Sequence, residues 1–170
     1  MASFGINRFK FQVFAVFLCH CLINLNAYSQ NIDQYRYESD FLSKEFHSSR
    51  REALRALLPD GSCAIIFSNP IRNRAADQDY EYHQNPDFYY VSGFREPNSI
   101  LLIWKDEVNI GGKNLKEIMF VPERDAYTEM WNGKRAGPEG AQVISGISSV
   151  YPGGDFYKMN DLFADVKKIL

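Results

Sequence analysis

RAADQDYEYHQNPDFYYVSGFREP, residues 74–97, sets charges, aromatic rings and chain breakers in a fixed order, and the reading of the fold turns on it. Its first half is a polar loop in which Asp77, Asp79 and Glu81 alternate with Tyr80 and Tyr82. Asn85-Pro86 then extends or turns the backbone, because the proline ring crowds the preceding residue out of the helical region. Phe88-Tyr89-Tyr90-Val91 is opposite in character, aromatic and β-branched, and predicts a half-buried strand closed by Gly93. Beyond Pro97-Asn98, the apolar run from Ile100 to Trp104 is too short for a typical helix and predicts an interior strand. The two strands flank a turn that carries Arg95 and Glu96.

Upstream, Phe46, Ala53, Leu54, Leu57 and Leu58 recur at helical spacing, with Ser43 as the cap and Pro59-Asp60-Gly61 as the stop. Cys63 to Phe67 predicts a buried strand ended by Asn69-Pro70, and Ile118 to Val121 adds a fourth. These strands lack polar alternation, so both faces of the sheet are expected to be covered. Downstream, Asp125 to Met130 fits a short helix, and Gly137-Pro138-Glu139 places proline where another begins. Gly111-Gly112 and Gly153-Gly154 are turns rather than phosphate loops. The segment Asn160 to Leu170 sets Leu162, Phe163, Val166, Ile169 and Leu170 on one stripe and predicts a final helix capped by Asn160. Strands interleaved with helices give an α/β class.

A chain of 170 residues is enough for one domain, and 45% hydrophobic with 24% charged residues is ordinary for a globular protein. A net charge of -2 leaves no basic surplus to hold a phosphate backbone, which argues against a nucleic-acid partner. The first residues differ from the rest. Arg8 and Lys10 precede the mostly apolar Phe11 to Leu25, and Ala27-Tyr28-Ser29 is a small-x-small cleavage pattern. Residues 1–29 are therefore expected to be a signal peptide, 30–42 a flexible lead and 43–170 the domain. The apolar stretch falls short of the ~20 residues of a spanning helix, so the expectation is export, to periplasm or extracellular space, rather than anchoring. Cys19 and Cys21 leave with the signal, and Cys63 stays as a small core residue without a disulfide partner. No glycine, proline or polar tail closes the final helix, which reads as a chain that stops where a longer one continues.

The order of residues resembles the N-terminal domain of aminopeptidase P, the Xaa-Pro aminopeptidases related to prolidase and creatinase. The matching residues are Arg50-Arg51, the strand from Cys63 to Ser68, Arg74, Asp77, Tyr80, Asp87-Phe88-Tyr89-Tyr90, Gly93-Phe94 and Glu96-Pro97. Farther on, Arg124-Asp125 and Glu129-Met130-Trp131-Asn132-Gly133-Lys134-Arg135 are similar to an Arg-Asp, Glu-x-Trp-x-Gly-x-Arg pattern of the same domain. Pro86 departs from it, since many relatives carry serine there, and this bears on the local turn. The resemblance implies a mixed β-sheet flanked by helices, related to ribonuclease H. It also implies a parent enzyme that removes the residue before proline with two metal ions, often manganese, activating a hydroxide. The metal ligands of that family sit on a C-terminal pita-bread domain, and none is matched in this chain. No catalytic or metal residue is therefore transferred, and no cofactor is expected within the chain itself.

What the resemblance implies for this domain is shape and assembly: packing on the catalytic domain, access to the cleft for peptides with proline second, and contacts in a homo-oligomer. Tyr89 is the candidate for the cleft edge, as an exposed ring stacks well on proline. Strand alternation gives the plainer alternative, in which Phe88 and Tyr90 fill the core and Tyr89 is half exposed. Asp77, Asp79, Glu81 and Asp87 invite a divalent ion, but pairing of Arg74 with Asp77 is the favoured reading. Trp131 is read as a packing anchor, and His83 as a surface hydrogen-bonding group. Two other functions stay open: a stand-alone binding module, and an independent metal-dependent hydrolase using the acidic loop.

Overall fold

The computed structural model describes residues 42–170; the expected signal peptide and nearly all of the expected lead lie outside the described residues. Helix α1 (Lys44–Leu57) leads into β1 (Ser62–Phe67), and a small hairpin of β2 (Asn73–Ala75) and β3 (Gln78–Asp79) follows. Helix α2 (Pro86–Ser92), strands β4 (Ile100–Ile110) and β5 (Lys113–Val121), and helices α3 (Ala126–Asn132) and α4 (Gly137–Ser145) come next. Strand β6 (Val150–Pro152), a 3-10 turn (Gly153–Tyr157) and β7 (Lys168–Ile169) complete the order. The main sheet runs β6-β5-β4-β1-β7, with β5–β4 and β4–β1 antiparallel and the two outer pairs parallel. It is the mixed sheet flanked by helices that the resemblance implies. Among the described residues, no helix is long and apolar enough to cross a membrane.

Both sheet faces are covered. Cys63, Leu102, Trp104, Ile118 and Phe120 form one buried layer under Leu162, Phe156, Phe163 and Val166. Their neighbours Ala64, Leu101, Ile103, Met119 and Val121 are also buried, on the face opposite by strand alternation. Burial pushes the Cys63 thiol up to about 12, so it behaves as an apolar filler rather than a nucleophile. Strands β4 and β5 are longer than the apolar runs at their centres. They continue outward to Gly111-Gly112, a two-residue turn with both φ positive, and their register shifts between Ile103 and Val108.

Helix α1 begins at Ser43, whose hydroxyl accepts from the Phe46 N–H. The apolar spacing in its sequence does not mark the face that meets the protein, however. Leu57 is 83% exposed and Ala53 is exposed, while His47, Arg51 and Arg55, one turn apart, point inward with Leu58. Arg51 Nε lies 3.1 Å and Arg55 Nη2 2.7 Å from Glu117 Oε2 on β5. Arg51 Nη1 donates to Val91 O at 2.9 Å, and Arg55 Nε to Trp104 O at 3.2 Å. A buried guanidinium is tolerable because its donors are taken by a carboxylate and by carbonyls.

Two predicted elements are different in the structure. Phe88–Val91 is not a strand but the middle of α2. Asn85 Oδ1 accepts from the Asp87 N–H at 3.0 Å, Pro86 occupies the first turn, and Gly93 ends the helix at φ +67. Asn-Pro-Asp is thus a helix start, and Phe88, Val91 and Ser92 face inward at helical spacing. The final helix is also absent. Residues 160–165 form turns that lay Leu162 against the core, and β7 pairs with β1. Lys167 N–H donates to Gly61 O at 2.8 Å, Leu170 N–H to Cys63 O at 3.0 Å, and Ile65 N–H to Leu170 O at 3.0 Å. Sheet pairing wins because β1, with β4 on one side only, needs partners for its other edge, whereas a short helix is marginal alone.

Removing the Glu117 carboxylate strands two buried guanidinium groups. Glu117→Ala should cost about 3 kcal/mol in urea unfolding, whereas Glu52→Ala, which loses only an exposed partner of Arg55, should cost under about 1 kcal/mol. At Gly93 a Cβ would lie 2.6 Å from His47 Cδ2, so Gly93→Ala meets both a left-handed backbone and a collision. Its expected loss is about 2–4 kcal/mol, read as a lower urea midpoint at an unchanged slope.

Candidate functional site

At one corner of the domain the end of β1, the 82–85 segment and the 93–97 turn meet. The β2–β3 hairpin stands out from that corner with every residue from 72 to 81 exposed. Its turn is held by Asn73 Nδ2, which donates to Ala76 O at 3.0 Å and Gln78 O at 3.2 Å, with Ala76 at φ +51. The expected pairing of Arg74 with Asp77 does not form. Arg74 lies in β2 and Asp77 at the tip, both in solvent, and the Asn73 amide organises the turn instead. Tyr80 is exposed too, its N–H donating to Arg72 O at 2.9 Å. Among the described residues, no three His, Cys, Asp or Glu side chains come together in a metal-binding group.

At its base the hairpin is fastened by side-chain bonds that the sequence did not suggest. Gln84 Nε2 donates to Phe94 O at 3.2 Å and Glu96 O at 3.1 Å, while Gln84 Oε1 accepts from the N–H groups of Asn69 and Asn85. Asn85 Nδ2 donates to Phe67 O at 2.8 Å, and the Tyr82 hydroxyl to Asn69 O at 3.2 Å. Burial pushes the Tyr82 phenol up, so it stays a neutral donor. The only cue to these bonds in the sequence is the run of amides beside the proline. His83 is exposed and its carbonyl accepts from Asn69 Nδ2.

Tyr89 is half-buried on α2, its ring edge-on to buried His47 at 5.5 Å and under the Arg95 guanidinium at 5.6 Å. Phe88 is fully buried, but Tyr90 turns outward at 48% exposure, because a helix rather than a strand sets their directions. The Tyr90 carbonyl stays inside, 2.9 Å from His47 Nδ1. With Arg51 on Val91 O, two residues one turn apart on α1 serve the last carbonyls of α2, at the negative end of its dipole. Asp87 is exposed in the first turn of α2, where a negative charge is favourable. Pro97 is buried beside Glu96.

The second motif is a polar fastening rather than a packing anchor. Asp125 caps α3, accepting from Tyr127 N–H, Thr128 N–H and the Thr128 hydroxyl. Arg124 grips both oxygens of Glu129, at 2.9 and 3.3 Å, and Glu129 Oε1 also accepts from the Arg135 N–H at 3.1 Å. Gly133 ends the helix at φ +77. Trp131 is 73% exposed, and Tyr127 and Met130 are equally open. The expectation that Trp131 anchors the core is corrected: α3 buries none of its residues, so its order comes from hydrogen bonds.

Hydrogen bonding to Arg124, and then to the Arg135 amide, holds the Glu129 carboxyl below its ordinary 4.5. A depressed carboxyl supports the folded state above its unfolded value and loses that support as pH falls through the folded one. An NMR titration of the Glu129 side chain should show a midpoint below 4.5, and Arg124→Ala should raise it toward 4.5.

Comparison with known proteins places this geometry. The family described as aminopeptidase P, N-terminal domain, matches residues 47–169. Xaa-Pro aminopeptidase 3 of Rattus norvegicus is 35% identical over 126 residues, covering 68% of this chain and 24% of that protein. The Xaa-Pro aminopeptidase of Escherichia coli is 35% identical over 106 residues, covering 62% of this chain and 23% of its own length. Among solved structures, aminopeptidase PepP of Pseudomonas aeruginosa superposes with a TM-score of 0.63 at 31% identity, over 70% of this chain and 26% of that one. The chain thus spans about a quarter of the length of these relatives. It belongs to the aminopeptidase P N-terminal domain family.

Proposed function

We propose that this chain is the non-catalytic N-terminal domain of an exported, manganese-dependent Xaa-Pro aminopeptidase. In this reading it packs on a C-terminal catalytic domain, shapes entry to its cleft for peptides with proline second, and takes part in oligomer contacts. The observation that carries the proposal is the match to the N-terminal domain over residues 47–169, in relatives about four times as long. The described residues do not fit a manganese site, since Asp77, Asp79 and Glu81 are strung along an exposed ribbon. No step of the hydrolysis is assigned to them.

Tyr89 is proposed as the cleft edge. Its ring is fixed by His47 and Arg95 yet keeps an open side, a rigid aromatic surface suited to a proline ring. Purified chain with added manganese should release no first residue from an Ala-Pro or Arg-Pro peptide; metal-dependent release would overturn the non-catalytic reading. When residues 42–170 replace the corresponding domain of the Escherichia coli enzyme, Tyr89→Ala should raise KM roughly 3- to 10-fold at nearly constant kcat. Unchanged KM would remove Tyr89 from the cleft.

A further inference from the structure

Two consecutive backbone N–H groups between α3 and α4 are taken by carboxylates of two different segments. Arg135 N–H donates to Glu129 Oε1 at 3.1 Å, and Ala136 N–H donates to Glu96 Oε1 at 2.8 Å. Glu129 belongs to α3 itself, while Glu96 is buried in the 93–97 turn, forty residues away in sequence. Helix α4 has no side-chain cap of its own: Ala136 sits at its N-cap position, with no side-chain bond to the first turn. Glu96 therefore takes from a distance the N-cap amide that the glutamate of a capping box would take, at the positive end of the helix dipole. Arg124 closes the arrangement. It holds both oxygens of Glu129, and its side chain lies so close to Gly137 that a Cβ there would sit 2.7 Å from Arg124 Cγ.

Helix α3 is capped at its start by Asp125, but its far end, at Gly133, is held only through the loop that follows. Seven residues are too few to persist on propensity, and none of them is buried. Yet it displays Tyr127, Met130 and Trp131, each at least 70% exposed, on this one short element. We infer that Glu96 and Glu129 form a two-carboxylate latch whose role is positional: together they fix the 133–136 loop and so hold the aromatic platform of α3 in one orientation. Glu96 links that platform to the turn that begins at Gly93, and through Gly93 and Gln84 to α1 and the hairpin base. The two family motifs, Gly-Phe-x-Glu-Pro and Glu-x-Trp-x-Gly-x-Arg, are then the two halves of one device.

The test is amide hydrogen exchange on the full chain, with the order of the Trp131 indole followed by 15N relaxation. Glu96→Ala should lower protection of Glu129, Arg135 and Ala136 about tenfold or more and free the Trp131 indole, while amides of β4 and β5 stay within about twofold. Glu96→Gln keeps an acceptor oxygen and should retain most of the protection. Glu129→Ala, which removes the solvent-side half and leaves the buried one, should loosen the same residues and decides the matter if Glu96→Ala does not fold. An equal fall in protection across the strands would make Glu96 a general stabiliser, and no change at 129–136 in either alanine variant would likewise overturn the latch.

Discussion

Burial of two arginines on α1, Arg51 and Arg55, is the constraint on which the rest of the domain depends. Helices usually meet a sheet through an apolar stripe, but here cationic side chains face inward and must have their donors satisfied. Glu117 on β5 supplies the charge, and the carbonyls of Val91 and Trp104 supply further acceptors. One cluster therefore ties α1 to a central strand, to the neighbouring strand and to the end of α2. The attachment is directional in a way that apolar contact is not, since a guanidinium fixes the orientation of each partner it bonds.

From that anchor the functional corner follows. Holding Val91 O and Tyr90 O places α2, and α2 carries the half-buried Tyr89 beside Arg95. The close approach of His47 to Gly93 sets where the chain turns away, and the turn brings Glu96 to the start of α4. The polar side chains of this corner thus act mostly on backbone groups, Gln84, Asn85 and Glu96 reaching those of other segments and the rest those of their own turns and helix ends. Asn73, Gln84, Asn85, Glu96, Asp125 and Glu129 each bind a main-chain N–H or C=O. That pattern belongs to a scaffold that holds surfaces in place, and it agrees with membership in a family of N-terminal domains.

The sheet was legible in the sequence because strands buried on both faces read as apolar runs, and Cys63–Phe67, Ile100–Trp104 and Ile118–Val121 all do. Helix α1 was legible in extent but not in facing: the apolar positions suggest one stripe, and the buried arginines define another. The aromatic run at 88–91 favours a strand by propensity, yet Asn85-Pro86-Asp87 and Gly93 are helix boundary signals, and local capping outweighed propensity. The last segment misled in the opposite direction, since its helical stripe gave way to the open edge of β1. Trp131 shows where pattern reading stops. A tryptophan in a motif is ordinarily packed, and only the three-dimensional fastening of α3 by Asp125, Arg124 and Glu129 shows how an exposed one is held.

If the buried arginines are the keystone, α2 should be the element most sensitive to them, because it is joined to α1 through Arg51 and His47 at its last turn. The most direct measurement is native-state hydrogen exchange of the Tyr89 and Gly93 amides in Arg51→Met, a variant that retains bulk but has no donors. Selective loss of protection in α2, with the Ile100–Val121 hairpin unchanged, is the predicted result. Protection in α2 equal to that of the unaltered chain would contradict the account.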